Sequence, residues 1–160
     1  NPGNAQNIAL PYDVIVDASD NFPARYLVND ACVLTGKPHI YGSVFRFEGQ
    51  ASVFWVERGP CYRCVFPAPP PANVIPSCAE SGVFGVVPGV IGTIQATEAL
   101  KVILDLGETL IGHLLIYDSL SMRFENVRLK KNPECKICGP NPEITQIIDS
   151  TDFYSHSGHS

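Results

Sequence analysis

The chain has 160 residues, of which 45% are hydrophobic and 17% are charged, and its formal net charge is −5. This length predicts a single domain with its own core, and the composition is that of an ordinary globular protein. The negative charge argues against a protein that binds nucleic acid through a broad basic surface.

The sequence indicates a cytoplasmic protein. No apolar run approaches the roughly 18 residues that a bilayer span requires, and residues 1–7 lack the charged-then-apolar layout of a signal peptide. We therefore expect no membrane contact. A reducing cytoplasm also favours thiolate–metal bonds over disulfides for the six cysteines of the chain.

A strand and a helix are predicted near the N-terminus, after an irregular polar stretch at 1–10. Residues 12–18 are almost continuously apolar, which is typical of a strand buried on both faces in a parallel sheet. Helix-capping residue types follow at 19–21, and the predicted helix ends at Gly36. Its apolar stripe consists of Leu27, Val28, Ala31, Cys32 and Leu34.

An antiparallel hairpin and a loop are predicted next. Segments 39–47 and 50–56 are rich in strand-forming residues, and Glu48-Gly49 between them has the character of a two-residue turn. Six prolines between Pro60 and Pro76 argue against a helix or a central strand in that stretch.

Three further elements are predicted in chain order: a helix at 83–106, a hairpin of strands at 113–117 and 122–129, and a β-prone run at 144–148. The helix stops at Gly107. The Ser- and His-rich end at 150–160 is predicted to be disordered, so the folded domain would span residues 1–149.

Four of the cysteines form two matched pairs, Cys61 with Cys64 and Cys135 with Cys138. A two-residue spacer lets neighbouring sulfurs converge on one tetrahedral Zn²⁺, so the two pairs predict a closed, structural zinc site. Two disulfides, or a redox-active pair, are the alternative interpretations of the same spacing. Zinc would join the middle of the chain to its C-terminal segment, and any catalytic chemistry would lie elsewhere.

Six short motifs occur in order along the chain: DASDNFPARYLVND at 17–30, GKP at 36–38, RFEGQ at 46–50, GPCYRC at 59–64, CAESGV at 78–83 and GTIQATEALK at 92–101. Together they resemble the adenylation domain of the MoeB/ThiF family, whose relatives include the ubiquitin-activating enzymes. The resemblance covers about residues 10–140. It implies an α/β fold, with a partial Rossmann-like sheet, an antiparallel extension and a structural tetracysteine zinc site.

The resemblance also implies a reaction. ATP with Mg²⁺ would activate the C-terminal carboxylate of a ubiquitin-like sulfur-carrier protein as an acyl-adenylate, in molybdopterin or thiamine sulfur transfer. Asp20 matches the aspartate that binds the metal and nucleotide, although an Asp before a helix is more often an N-cap. Arg25 would contact the carrier or the phosphates, and its alternative role is a solvated residue on the helix surface.

Cys78 matches a position at which several family members have a sulfur-relay cysteine. A thiol on a mobile loop could accept an acyl group or transfer persulfide sulfur if it were accessible and had a lowered pKa. The neighbouring Glu80 does not favour a thiolate, so an unreactive loop cysteine is the alternative.

The sequence contains no glycine-rich phosphate loop of the type that binds a nucleotide at a helix N-terminus. We therefore expect the C-terminal portion of an adenylyltransferase, which would be a poor ATPase by itself. The resemblance further implies a homodimer, and the apolar segment 83–94 would suit an interface. A non-catalytic, zinc-containing module that binds a ubiquitin-like partner is the alternative function, and a thiol–disulfide oxidoreductase is a weaker third.

Overall fold

The computed structural model of the chain describes residues 2–71 and 82–147. Its helices are a short 3₁₀ helix at Pro2–Asn4 and the α-helices α1 (Ala5–Ala9), α2 (Phe22–Thr35), α3 (Tyr62–Val65) and α4 (Val87–Leu104). Its strands are β1 (Ile15–Asp17), β2 (His39–Phe45), β3 (Glu48–Phe54), β4 (His113–Asp118) and β5 (Arg123–Arg128).

The five strands form one mixed sheet in the order β1-β2-β3-β4-β5. Strand β1 runs parallel to β2, with Ile15 opposite His39, and the other three pairs are antiparallel. The α/β class and the antiparallel extension predicted from the sequence are therefore confirmed.

Helix α2 begins and ends as its sequence predicts. The Asn21 side chain caps the N-terminus by accepting a 2.9 Å hydrogen bond from the Ala24 N–H, and Pro23 lies in the first turn, where its missing N–H is not needed. Gly36 follows the last turn with φ 70°, a left-handed conformation that glycine adopts without strain. The start of α2 is therefore fixed, and only residues 18–21 separate it from the end of β1 at Asp17.

Helix α4 packs against one face of the sheet. Two strand glycines make this approach possible, because a Cβ on Gly49 would lie 2.4 Å from Ile91 Cγ1 and one on Gly42 would lie 2.3 Å from Gln95 Cδ. The Gln95 amide donates to the carbonyls of Asp17 (2.7 Å) and Ile40 (3.1 Å), and so joins α4 to both parallel strands.

Helices α2 and α3 cover the opposite face. Because side chains alternate between the two faces of a strand, Tyr41 points away from α4 while its neighbours Ile40 and Gly42 point towards it. An aromatic cluster fills the space between this face and the two helices; its buried members are Tyr26, Tyr41, Phe54, Tyr62 and Leu114.

The first hairpin turn lies two residues before its predicted position. Arg46 and Phe47 make the turn, Arg46 has φ 52°, and Glu48 and Gly49 belong to β3 opposite Phe45 and Val44. The prediction was wrong because it gave Gly49 a turn role, whereas the glycine is needed inside the strand where Ile91 packs on it. The second hairpin turn is close to its predicted position.

Four other predictions differ from the structure. Strand β1 is shorter than predicted and is an edge strand of the described sheet, so Val16 is 51% exposed instead of buried on both faces. Residues 5–9 form helix α1 rather than an irregular stretch, and the first cysteine pair closes one helical turn, α3, before the prolines. No strand forms at 144–147. Ile144 is instead buried beside the cysteines.

Helix α4 is also shorter at both ends than the predicted 83–106. Its 18 residues, with mean hydropathy 1.3, meet the length and composition criteria for a membrane span, contrary to the expectation that no segment would. One such helix is weak support for a membrane protein, since a core helix of a soluble protein meets the same criteria. In this structure helix α4 packs on the sheet and has four buried residues, Val87, Ile91, Gln95 and Glu98.

Candidate functional site

The two cysteine pairs converge on one point. The four sulfur atoms all lie within 4.8 Å of one another. Sulfur–sulfur separations are 3.8 Å for Cys61 and Cys64, 3.6 Å for Cys61 and Cys135, and 3.3 Å for Cys64 and Cys138. All four cysteines are free thiols in this structure, so the two-disulfide interpretation is not what the fold shows.

These separations suit a tetrahedral metal ion. Four sulfurs at about 2.3 Å from a central Zn²⁺ would lie about 3.8 Å from one another. The donor set, four cysteine sulfurs with no carboxylate or imidazole among them, is that of a structural zinc site. The four cysteines are therefore able to bind one metal ion at their centre.

The protonation of the four thiols also favours a cation. Hydrogen bonds to Cys138 and Cys64, together with burial, raise the pKa of Cys61. Hydrogen bonds from Cys138 and Cys61 lower the pKa of Cys64 to about 2. Sulfurs this close cannot all ionise beside one another, whereas a divalent cation at their centre would stabilise all four as thiolates.

The second pair lies in a tight turn that begins the C-terminal segment. The Gly139 N–H donates to the Cys135 carbonyl at 2.9 Å, and a Cβ on Gly139 would lie 2.6 Å from the same oxygen. Ile137 inside the turn and Ile144 after it are buried in one cluster with the cysteines, and Val33 and Leu34 of α2 pack against this cluster. The cysteines therefore join this segment to the last turn of α2 and to α3.

A buried polar network attaches the first pair to α2. Arg63 donates two 2.7 Å hydrogen bonds to the Asp30 carboxylate, and the Arg63 and Asp30 side chains are 3% and 4% exposed. The Asn29 side chain accepts from the Tyr62 N–H at 2.8 Å and donates to Asp30 at 2.9 Å. Sequence analysis missed these residues, although an N-D pair on a helix and an Arg inside a Cys-x-x-Cys turn were visible.

Asp20 lies immediately before α2 and is exposed. It does not cap the helix, because Asn21 does so and donates its side-chain N–H to Asp20 at 3.0 Å. The Asp20 carboxylate therefore faces solvent at the carboxyl end of β1 and the positive end of the α2 dipole. This edge of a sheet is where nucleotides and their metal ions bind in open α/β folds.

Arg25 lies one turn into α2 and is buried, with 7% exposure, so it is not a solvated surface residue. Its guanidinium stacks over the rings of Phe22 (5.4 Å) and Tyr41 (5.9 Å). Its Nε has no hydrogen-bond partner, and none of the ion pairs among the described residues involves Arg25. A buried guanidinium of this kind is suited to bind an anionic group of a ligand.

Asp17, three residues before Asp20, has a structural role. Its carboxylate accepts from the Ser19 N–H at 2.9 Å and lies 3.1 Å from His39 Nε2. Burial raises its pKa, but the His39 and Ser19 interactions outweigh burial and lower the pKa below the ordinary 3.8. Cys78 and Glu80 lie outside the described residues.

Comparisons with known proteins agree with the sequence motifs. The ThiF family model matches residues 1–137. A sulfur carrier protein adenylyltransferase of Thermus thermophilus is 53% identical over 155 residues, and the match covers 94% of this chain and 57% of that protein. The adenylyltransferase and sulfurtransferase MOCS3 of Drosophila persimilis is 48% identical over 154 residues, with 96% of this chain and 34% of that protein covered.

Solved structures share the fold. MccB of E. coli, solved with MccA-N7isoASN, superposes with a TM-score of 0.73 at 17% identity, over 87% of this chain and 44% of that one. The chain thus spans only part of the length of the relatives that it matches. Because the family model covers most of the sequence, the chain belongs to the ThiF family.

Proposed function

We propose that this chain supplies the carrier-binding and metal-containing part of an enzyme that uses ATP and Mg²⁺ to adenylylate the C-terminal carboxylate of a ubiquitin-like sulfur-carrier protein. The observation that carries the proposal is the α2 N-terminus, where an exposed Asp20 and a buried Arg25 lie in a chain 53% identical to a sulfur carrier protein adenylyltransferase. The same protein would act in the cytoplasm, in molybdopterin or thiamine sulfur transfer.

The two residues suit different parts of this reaction. The carboxylate of the carrier attacks the α-phosphorus of ATP, and pyrophosphate leaves. An exposed carboxylate is a suitable Mg²⁺ ligand, so Asp20 would bind the metal of the nucleotide. Arg25, whose Nε is unpartnered, would pair with the carrier carboxylate or a phosphate oxygen and orient it.

The metal ion at the four cysteines would have no direct part in the adenylylation reaction. Cys61, Cys64, Cys135 and Cys138 would bind one structural Zn²⁺, because a closed set of four sulfurs leaves no position for water or substrate. A reducing compartment keeps these thiols available for the metal. Cys78 keeps its proposed role in sulfur relay.

Carrier binding can be tested by isothermal titration calorimetry. The probe is the sulfur-carrier substrate of the Thermus thermophilus relative, with a free C-terminus or an amidated one. We expect 1:1 binding of the free form and a loss of roughly tenfold or more for the amidated form or for Arg25→Gln, since a charged hydrogen bond contributes about 1.5–3 kcal/mol.

Arg128→Gln is the matched control, because Arg128 is an exposed arginine of β5, away from α2. It should bind like the wild type. Equal binding of the free and amidated carriers, or of the Arg25 and Arg128 variants, would contradict the proposed recognition of the carboxylate.

ATP–pyrophosphate exchange tests whether this chain is catalytic by itself, which the alternative function, a zinc-containing binding module without catalysis, excludes. Both functions predict carrier binding. Exchange should be negligible with the 160-residue chain alone, since its sequence has no glycine-rich phosphate loop. Exchange by this chain with carrier would show that the nucleotide site is complete, and the expectation of an inactive part would be wrong.

We also propose a homodimer. Helix α4 and the residue before it expose apolar side chains that a second copy could cover, among them Val86, Leu100, Ile103 and Leu104 at 58% exposure each. Light scattering during size-exclusion chromatography should give the mass of two chains. A monomer that persists at high concentration would rule the dimer out.

A further inference from the structure

Both residues enclosed by the first cysteine pair contact α2. Tyr62 and Arg63 are 1% and 3% exposed, and they lie between Cys61 and Cys64 in the sequence, at the start of the single turn of α3. A metal site needs only the sulfurs of such a turn, so the burial of both spacer residues has another cause. Here the spacer is a docking element.

Three contacts connect this turn to α2. The Arg63–Asp30 pair is bidentate, with both hydrogen bonds at 2.7 Å, so it fixes orientation as well as distance. The Tyr62 N–H donates to Asn29 Oδ1 at 2.8 Å. The Arg63 guanidinium also stacks over the Tyr26 ring at 4.6 Å.

The contacted residues lie next to Arg25 on the same helix. Asn29 is one turn after Arg25, and Tyr26 is its neighbour, so a rotation or shift of α2 would move all three together. The aromatic cluster makes the same connection across space. Tyr41, over which the Arg25 guanidinium stacks, has its ring 5.4 Å from that of Tyr62.

A cation at the four sulfurs would therefore help to fix the position of helix α2. Without the cation no bond joins the two cysteine pairs, which leaves the cysteine turns less constrained. Metal–thiolate bonds would fix the positions of Cys61 and Cys64, and so of Tyr62 and Arg63 between them in the sequence.

We propose that the tetracysteine metal centre positions Arg25 for anion binding, and that Arg63, through its pair with Asp30, is the positioning residue that connects the two sites. This inference rests on the proposed function for the identity of the anion, a carrier carboxylate or a phosphate. The connection itself concerns only residues of this chain.

Nuclear magnetic resonance of the arginine Nε–Hε groups tests the connection. The Arg25 signal is assigned by its loss in Arg25→Lys, and it is then recorded in zinc-loaded protein, after chelation, and in zinc-loaded Arg63→Lys. Lysine keeps the charge beside Asp30 but cannot form the bidentate pair. Circular dichroism and zinc analysis accompany each sample.

We expect chelation to shift the Arg25 signal while the protein remains folded. Zinc-loaded Arg63→Lys should show the Arg25 signal displaced towards the chelated position although zinc is still bound. If Arg63 had only a structural role, Arg63→Lys would be less stable than the wild type but its Arg25 signal would not be displaced. Arg128→Lys, on exposed β5, is the matched control and should leave the signal in place.

If Arg63→Lys does not fold, the double variant Asp30→Asn with Arg63→Gln replaces the charged pair with two neutral amides, so that no unpaired charge is left buried. The same displacement is expected. An Arg25 signal that stays at the wild-type position both after chelation and in the zinc-loaded variant would overturn the inference.

Calorimetry with the Thermus thermophilus carrier separates this inference from the proposed function. Zinc-loaded Arg63→Lys should bind the carrier roughly tenfold more weakly than the wild type, a difference of about 1.4 kcal/mol. If no variant binds the carrier but the Arg25 signal follows the metal, the connection stands and the proposed function fails. If the carrier binds both proteins equally and the signal is unchanged, the connection fails and the proposed function stands.

Discussion

Three of the six buried residues of α2 are polar or charged, and each of them has a specific contact. On α2 the buried residues include Arg25, Asn29 and Asp30, whereas Leu27 and Val28 are only partly buried. Each of the polar side chains lies beside a specific group, either a ring, a backbone N–H or an opposite charge. Hydrophobic periodicity can predict that α2 is a helix, but it cannot predict which polar partners cover it.

The Asp17–His39 pair predicts a dependence of stability on pH. The pKa of Asp17 is lower in the folded chain than in the unfolded chain, so its stabilising contribution is complete above the ordinary value of 3.8 and is lost as pH falls through the lowered value. Asp17→Asn should lower the free energy of unfolding at about pH 7 by about 1–3 kcal/mol.

Urea unfolding of both proteins at several pH values measures this effect. The difference between wild type and Asp17→Asn should shrink as the pH is lowered below about 4, because the wild-type carboxylate then becomes protonated. A difference that stays constant down to about pH 2 would show that the charge of Asp17 does not stabilise the fold.

Cys32 is predicted to be unreactive in the native protein. Burial and the negative charge of Asp17 raise the pKa of the Cys32 thiol to about 12, so almost no thiolate is present near neutral pH. Mass spectrometry after iodoacetamide treatment should find Cys32 unmodified in native protein and alkylated in urea. Rapid alkylation of native Cys32 would contradict the buried position of this face of α2.

At the scale of elements, glycine positions are set by the approach of α4 to the sheet. Gly42 and Gly49 lie in adjacent strands beneath Gln95 and Ile91, and neither position tolerates a Cβ without movement of the helix side chain. From sequence, Glu48-Gly49 has the composition of a turn. The packing of α4, some 40 residues further along the chain, explains why Gly49 lies in the strand. Local turn preferences cannot predict this, because they take no account of tertiary contacts.

Gly49→Ala should therefore destabilise the protein by about 1–3 kcal/mol, the usual cost of overpacking a close helix–sheet contact. The matched control is Gly92→Ala within α4, where an added Cβ meets nothing within 4 Å. This control should be neutral or stabilising by up to about 1 kcal/mol, because alanine favours a helix. Thermal unfolding compares the two, and equal effects would contradict the close packing of α4 on β3.

For the whole molecule, the cysteine spacing correctly predicted a contact between two segments that are far apart in the sequence. Cys61 and Cys135 are 74 positions apart, yet their sulfurs lie 3.6 Å from each other. The sequence could indicate this because a metal site imposes a strict chemical requirement on residue type and spacing. It could not indicate that the C-terminal segment would dock on the end of α2 through Ile137 and Ile144, because two isolated isoleucines have no periodic pattern.

The Asp20–Arg25 region was predicted from family resemblance, and the structure adds the burial of Arg25 and the capping role of Asn21. The Arg63–Asp30 pair was not predicted. The residue types were visible in the sequence, as an Asn-Asp pair on the predicted helix and an Arg between two cysteines, but no sequence pattern connects them. The ion pair is recognisable only once both elements are placed.

A metal ion that joins the two cysteine pairs is required both for the proposed function and for the positioning of Arg25. X-ray absorption spectroscopy of the purified chain, with metal analysis of the same sample, measures this. We predict one zinc ion per chain with four sulfur neighbours at about 2.3 Å. Protein that contains no metal when purified under reducing conditions, or zinc with nitrogen or oxygen neighbours at about 2.0–2.1 Å, would contradict it.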